Sequence, residues 1–283
     1  MSASGTEKRG ITRGAITGAQ ERSRAAWFNA TVVSGITTLI ALAIFRANPH
    51  WDMAVSQWFF ETAPCVTNAA PERSCGRFPI AEQTFWQGLR EFGLSVPRLL
   101  MLMMLMSVPA IFVFNRTPDE NHLRTISIGL VALFIGPLLI TNWILKEFWG
   151  RARPFQTLDF GGAEAFSLPG TITDACARNC SFVSGESAAA FWMLWLVPLL
   201  PLAWRWKAGL LLLSFALFVA GLRVAFGRHF LSDVTIAAGI SITAICFAYW
   251  FASTPMANRW RTRFMALGQR LAKSAHRSPS ARL

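Results

Sequence analysis

Three short polar segments of this sequence carry side chains that could bind and transfer a phosphate group. They run from Lys146 to Pro154, from Ser181 to Ser187 and from Arg223 to Asp233. The first and third segments supply five cations, Lys146, Arg151, Arg153, Arg223 and Arg228. Guanidinium groups bind phosphate oxygens in a planar, bidentate arrangement, and an ammonium group adds a point charge. If the segments meet in space, they form a phosphate site.

His229 is the strongest candidate for a nucleophile. Asp233 follows it by four residues, so the two share one face if a helix begins early enough. A carboxylate bonded to one imidazole nitrogen fixes the tautomer and leaves the other nitrogen free to attack. A single His at a helix end usually serves polar packing, but here the neighbouring Asp233 and Arg223 favour the catalytic interpretation.

Ser184 and Gly185 directly precede an apolar stretch. The first backbone N–H groups of a helix have no partner in the helix, so they can hold phosphate oxygens. Taken alone, Ser184 indicates only a helix N-cap.

The elements that position these residues are expected to be membrane helices. The chain is 53% hydrophobic and only 15% charged, and its apolar residues are grouped into long runs. Runs of roughly 17–25 residues cross a bilayer. We predict an all-α polytopic membrane protein, a bundle of six transmembrane helices at residues 25–45, 95–114, 125–145, 187–204, 208–227 and 234–251. The alternative, a soluble protein with six buried core helices, would need an implausibly large dry core.

The basic residues predict the orientation and the partner. With both termini in the cytoplasm, the cytoplasmic pieces hold 16 of the 27 Lys and Arg residues, as the positive-inside rule requires. We therefore predict a basic cytoplasmic segment, a six-helix membrane domain and a basic cytoplasmic tail at residues 1–24, 25–251 and 252–283. Its outer loops are residues 46–94, 146–186 and 228–233. The net charge of +12 then indicates an anionic lipid bilayer rather than nucleic acid.

Four of the five cysteines fall in the predicted outer loops, which indicates an oxidising compartment. Of the three possible connectivities, we favour the local disulfides Cys65–Cys75 and Cys176–Cys180. A zinc site is the alternative, but no His-plus-Cys ligand spacing accompanies these residues, so no metal is predicted.

The three segments together resemble the type 2 phosphatidic acid phosphatase superfamily. Lys146 is separated by six residues from Arg153 and Pro154, Ser184-Gly185 matches the middle of the second motif, and Arg223, His229 and Asp233 have the spacing of the third. The resemblance implies that His229 forms a phosphohistidine, with Asp233 orienting it. It further implies a phosphate site without metal or other cofactor, formed by Lys146, Arg153, Ser184, Gly185 and Arg223. Arg151 and Arg228 are further possible anion contacts.

Three positions depart from the family pattern. Val183 replaces a Pro and Leu222 replaces a Ser, which we expect to matter little. Glu186 replaces the His that protonates the leaving oxygen in this family. We therefore assign Glu186 as the general acid, protonated when substrate is bound. The alternatives are that another residue supplies the acid or that the site is degenerate and inactive.

The predicted function is hydrolysis of a lipid phosphate monoester at the periplasmic face of a bacterial inner membrane. The stretch from Asn179 to Glu186, with Gly150 to Pro154 before it, resembles bacterial lipid A 4′-phosphatases. Undecaprenyl pyrophosphate and phosphatidylglycerol phosphate are rival substrates. A non-catalytic lipid-binding or transport protein is the alternative from another class.

Overall fold

A computed structural model of the protein describes residues 4–64, 75–113 and 120–276, and it is mostly helical. The α-helices are α1 (Ser4–Ala47), α2 (His50–Gln57), α3 (Pro79–Glu82), α4 (Thr84–Val113), α5 (Glu120–Leu133), α6 (Lys146–Phe148), α7 (Gly185–Trp192), α8 (Leu202–Ala225), α9 (Leu231–Ala252) and α10 (Pro255–His276).

Other regular elements are short or connect these helices. A π-helix, Phe134–Leu145, joins α5 to α6, and a 3₁₀-helix, Met193–Leu199, continues α7. Two single-turn 3₁₀-helices, Pro154–Gln156 and Leu158–Phe160, lie in the loop before α7. The strands β1 (Glu61–Thr62) and β2 (Gly76–Arg77) pair antiparallel, with Glu61 opposite Arg77.

Within the described residues, four helices are long and apolar enough to cross a membrane. They are Gly18–Ala47, Glu120–Phe148, Leu202–Ala225 and Leu231–Ala252. They coincide with four of the six predicted spans. A six-span arrangement therefore stays a prediction.

The other two predicted spans differ from the helices that the structure contains. The second, 95–114, is part of α4, which begins at Thr84, and its last residue lies outside the described residues. The fourth, 187–204, extends beyond one helix, because the helical segment that starts at Gly185 ends at Leu199 and α8 begins at Leu202, after Pro201. Pro198 and Pro201 have no backbone N–H to continue a helix. Residues 205–207, which separate the fourth and fifth predicted spans on the cytoplasmic side, consequently lie inside α8.

Helix α9 lies at the centre of the bundle and contacts α1, α5, the π-helix and α7. Small residues allow this close packing, as is common between membrane helices. A Cβ atom on Gly239 of α9 would lie 2.3 Å from the Thr38 hydroxyl oxygen of α1. Gly239→Ala would therefore push α1 away from α9, the central helix that also carries Asp233.

The ends of several elements meet at one end of the bundle. The start of α9 contacts the loop before α7 through Ser184 N–H, which donates to Asp233 O at 3.4 Å. The same loop contacts the end of the π-helix, where Cys180 N–H donates to Lys146 O at 3.1 Å. The three polar segments of the sequence therefore converge at this end.

Candidate active site

A glycine turn between α8 and α9 places His229 next to Arg223. Gly227 has φ +62°, in the left-handed region that glycine adopts without strain, and it ends α8. After this turn the backbone N–H groups of Arg228 and His229 both donate to Arg223 O, at 3.1 and 3.2 Å. The backbone therefore holds His229 one turn beyond Arg223.

The tautomer of His229 is set by a backbone carbonyl. Its ring is 1% exposed, and Nδ1 lies 2.7 Å from Ser181 O. A carbonyl oxygen can only accept, so Nδ1 carries the hydrogen and Nε2 keeps its lone pair. We expected Asp233 to bond the ring directly, but its Oδ2 lies 3.9 Å from Nδ1. Asp233 instead holds the residue that bonds the ring, because Ser181 Oγ donates to Asp233 Oδ2 at 2.5 Å.

The surroundings of His229 hold it in the neutral, nucleophilic form. Burial lowers the pKa of His229 well below its ordinary value of 6.5, and the nearby charges of Arg223, Lys146 and Arg153 lower it further. The hydrogen bond to Ser181 O opposes this shift. The imidazole is therefore neutral at physiological pH.

This pKa shift predicts a pH-dependent stability. Below pH 6.5 the unfolded chain binds a proton at residue 229 that the folded protein does not. The contribution of this residue to the stability of the fold therefore decreases as the pH is lowered below 6.5, and it is constant above that pH. Each pH unit of this window costs about 1 kcal/mol. We expect the melting temperature in detergent to drop between about pH 7.5 and about pH 5.5 by less in His229→Gln than in the wild type. Equal drops in both proteins would contradict the shifted pKa.

Arg151 lies behind His229 in a buried ionic cluster, defined here as Asp52, Arg151 and Asp233. Its Nη1 donates to Asp233 Oδ1 at 2.6 Å and its Nη2 donates to Asp52 Oδ2 at 2.9 Å, with all three side chains fully buried. Nη1 also donates to Ser232 Oγ, and Nε donates to Ser167 O. The prediction that Arg151 contacts the substrate anion is therefore wrong, because carboxylates and a carbonyl already occupy its donors.

The ionic cluster also has an electrostatic effect on His229. Two carboxylates face one guanidinium, so the formal charge of the cluster is one negative unit. The cluster lies on the Nδ1 side of the ring. Its charge is opposite in sign to that of Lys146, Arg153 and Arg223, the cations that lower the pKa of the ring. A negative charge near an imidazole stabilises the positive charge that develops when Nε2 attacks.

Lys146 and Arg153 are held in place by one residue, Asn179. Lys146 Nζ donates to Asn179 Oδ1 at 3.0 Å, and Arg153 Nη2 donates to Asn179 O at 2.6 Å. Asn179 has φ +52°, a conformation that Asn tolerates better than most residues. It lies inside the loop closed by the Cys176–Cys180 disulfide, which confirms that predicted pair. Cys65 lies outside the described residues, so the Cys65–Cys75 pair stays a prediction.

Glu186 pairs with two guanidinium groups. Arg90 of α4 donates to it through Nη2 at 2.7 Å and through Nε at 3.2 Å, while Arg223 Nη1 lies 3.2 Å from Oε1. Glu186 is therefore hydrogen-bonded to Arg90 and paired with Arg223, a guanidinium that the sequence predicts to bind phosphate.

Ser184 is the N-cap of α7, as its position predicts. Its Oγ accepts from Ser187 N–H at 3.4 Å and from Ser187 Oγ at 2.9 Å, so its own hydroxyl hydrogen remains available as a donor. At Gly185, a Cβ atom would lie 2.4 Å from Asn142 Oδ1. A larger residue at this position would therefore displace the Asn142 side chain of the π-helix.

Arg228 lies at the edge of the site, with its guanidinium 4.5 Å from the centre of the Phe155 ring. It remains available to an anion, unlike Arg151. Among the described residues, no group of three or more His, Cys, Asp and Glu side chains is placed to hold a metal ion.

Sequence reasoning missed four residues that this site uses. Asp52 and Ser181 act behind His229, Asn179 holds two of the cations, and Arg90 pairs with Glu186. Asn179 lies between the two cysteines of a predicted disulfide, which was an available signal. Ser181 begins the second polar segment, but its own role was not predicted. Asp52 and Arg90 lie in α2 and α4, which the spacing of the motifs does not connect to His229.

Comparison with known proteins identifies the family. The PAP2 superfamily profile matches residues 125–257. A lipid A 4′-phosphatase of Rhizobium leguminosarum is 36% identical over 214 residues, which is 75% of this chain and 91% of that protein. A lipid A 4′-phosphatase of Rhizobium etli is 37% identical over 214 residues, 75% of this chain and 82% of that protein. The solved structure of a PAP2-type phosphatidylglycerolphosphate phosphatase from Bacillus subtilis is 20% identical, with a TM-score of 0.46, covering 78% and 94% of the two chains.

The chain belongs to the PAP2 superfamily. The predictions of a phosphatase that hydrolyses phosphoric monoesters, and of a membrane protein acting on lipid phosphates, are thereby confirmed.

Proposed function

We propose that this protein removes the 4′-phosphate of lipid A through a phosphohistidine intermediate on His229. The observation that carries the mechanism is the state of His229, a neutral imidazole with Nδ1 bonded to Ser181 O and with three cations acting on it. A neutral Nε2 next to guanidinium and ammonium groups is suited to attack an anionic phosphorus centre.

The reaction has two steps. Nε2 of His229 attacks phosphorus while the bond to the lipid oxygen breaks, and that oxygen takes the proton of Glu186. Water then attacks the phosphohistidine and gives a proton to Glu186, and the P–N bond breaks to release inorganic phosphate and neutral His229. Lys146, Arg153 and Arg223 bind the phosphate oxygens, assisted by the Ser184 hydroxyl and the Gly185 N–H.

The substrate assignment depends on the relatives. This chain matches most of the length of two lipid A 4′-phosphatases, at 36% and 37% identity. The extra cations Arg90 and Arg228 near the phosphate site suit a strongly anionic lipid.

The proposed location is the bacterial inner membrane, with six spans, cytoplasmic termini and the active site facing the periplasm. The positive-inside rule supports this orientation, since exposed Arg259, Arg263 and Arg270 lie on α10, at the other end of α9 from His229. The disulfide Cys176–Cys180 near the active site suits an oxidising compartment.

The function is tested with purified protein and a panel of lipid phosphates. We expect inorganic phosphate release from lipid A, with mass spectrometry showing loss of the 4′ group and retention of the 1-phosphate. Faster release from undecaprenyl pyrophosphate or phosphatidylglycerol phosphate would replace the substrate assignment. No release from any lipid, combined with tight binding, would favour a lipid-binding or transport protein.

Glu186 remains our proposed general acid, and the structure sharpens its test. Phosphate competes with Glu186 for Arg223, and Glu186 then takes up the proton that it donates to the leaving oxygen. We expect Glu186→Gln to lower kcat by about 10²–10⁴-fold with KM nearly unchanged. The basic limb of the kcat–pH profile should also disappear, because that limb reports loss of the acid's proton.

Arg90→Gln is the matched control for Glu186→Gln. It breaks the same ion pair but keeps the carboxyl group, so it should leave the basic limb in place. If Glu186→Gln instead raises KM and preserves both kcat and the basic limb, Glu186 only positions Arg223 and is not the acid.

A further inference from the structure

A polar cavity lies at the end of the bundle opposite to His229. Its volume is about 570 Å³, and α1, α5, α9 and α10 contribute to its walls. Its polar lining includes Gln20, Asn121, Arg124, Asn258 and Arg261. The length of α9, about 33 Å for its 22 residues, separates it from the active site.

Arg261 is a buried cation with a donor that nothing accepts. Its residue exposure is 9%, its Nη1 donates to Ala252 O at 3.0 Å, and its Nη2 donates to Asn258 Oδ1. Its Nε is buried and has no hydrogen-bond partner among the described residues. Burying a guanidinium donor without an acceptor is costly, so this atom indicates a missing anionic or polar ligand.

The electrostatics of the cavity favour an anion. Burial lowers the pKa of Arg261, and the charge of Arg124, which faces the same cavity from α5, lowers it further, while Glu120 opposes the shift. Glu120 lines the cavity as well, but no ion pair joins it to either arginine in the described part of the chain. Two cations and one carboxylate leave one positive unit to be balanced.

Helix α10 places the mouth of this cavity at a membrane surface. Its exposed apolar residues Met256, Trp260, Phe264 and Leu267 repeat at helical spacing, so they form one stripe along the helix. Such a helix lies in the interface with its apolar stripe towards the acyl chains. Because α10 begins three residues after the end of the span α9, this stripe lies at the headgroup level.

We propose that the cavity binds the phosphate group of an anionic membrane lipid in the leaflet opposite to the active site. Arg261 offers phosphate oxygens its Nε–H and the second N–H of Nη2, whose first N–H bonds Asn258, and Arg124 adds the second charge. Gln20 and Asn121 are placed to bond the polar part of a headgroup such as glycerol. This site is a lipid-binding site separate from catalysis, and it does not depend on the proposed function.

The test measures lipid binding to the full-length protein. Purified protein in a neutral detergent is titrated with phosphatidylglycerol, with phosphatidylcholine or with inorganic phosphate, and bound lipid is counted by native mass spectrometry while the melting temperature is followed. Phosphatidylglycerol carries no phosphate monoester, so the readout is independent of the phosphatase reaction. We expect phosphatidylglycerol to bind and stabilise, and the other two to have little effect.

Arg261→Gln should weaken phosphatidylglycerol binding by about tenfold or more, which is the loss of a charge-assisted hydrogen bond. Arg263→Gln, an exposed arginine on the same helix, removes the same charge and should bind like the wild type. If Arg261→Gln does not fold, Arg124→Gln replaces it, since Arg124 is exposed. Equal losses in the cavity variant and in Arg263→Gln, or equal stabilisation by inorganic phosphate, would overturn the proposal.

Discussion

Replacing His229 with alanine is expected to reduce phosphate release by about 10⁴-fold or more, because the variant lacks the atom that forms the covalent intermediate. The surrounding cations remain, so lipid phosphate should still bind. The intermediate itself is checked by quenching the wild type during turnover and searching the digested protein for a phosphorylated peptide that contains His229.

His122→Ala is the matched control for this experiment. His122 is exposed at the start of α5, at the opposite end of the bundle, and its loss should leave phosphate release unchanged. Full loss of activity in His229→Ala without any phosphorylated peptide in the wild type would indicate direct attack by water. Substantial activity in His229→Ala would remove the nucleophile assignment altogether.

The Arg151→Met variant is expected to be the most destabilised single variant of the site. It leaves the buried carboxylates of Asp52 and Asp233 without their shared cation, which costs about 3–5 kcal/mol. The melting temperature in detergent should fall sharply. Phosphate release should fall with it, because Asp233 loses its cation and is the acceptor that holds Ser181 Oγ, and the Ser181 carbonyl bonds His229.

A double-mutant cycle distinguishes this role from substrate binding. Asp52→Asn should destabilise the wild type, where Asp52 bonds Arg151, but should stabilise Arg151→Met by removing an unpaired buried charge. Arg178→Met, at an exposed arginine of the same outer region, should change stability little. An Arg151→Met protein with unchanged melting temperature and a raised KM would instead restore Arg151 as a substrate contact.

The sequence predicts the chemistry of this protein better than the wiring of its active site. The spacing from Lys146 to Arg153 and from Arg223 to His229 is short. Each pair lies at one helix end or in one turn, so closeness in sequence also means closeness in the folded protein. Apolar run lengths similarly predict membrane helices. They do not predict the ends of those helices, since Pro198 and Pro201 divide what composition alone joins into one run.

The sequence by itself determined the residue types at the predicted phosphate site and the family, and it favoured the disulfide Cys176–Cys180 that the structure contains. Only the tertiary structure decided that Arg151 is a buried support, that Ser181 O rather than Asp233 sets the His229 tautomer, and that Glu186 pairs with Arg90. The reason is distance along the chain. Arg151 and Asp52 are 99 residues apart, and Arg90 and Glu186 are 96 apart, so packing of distant helices determines whether each charge meets a partner or a substrate.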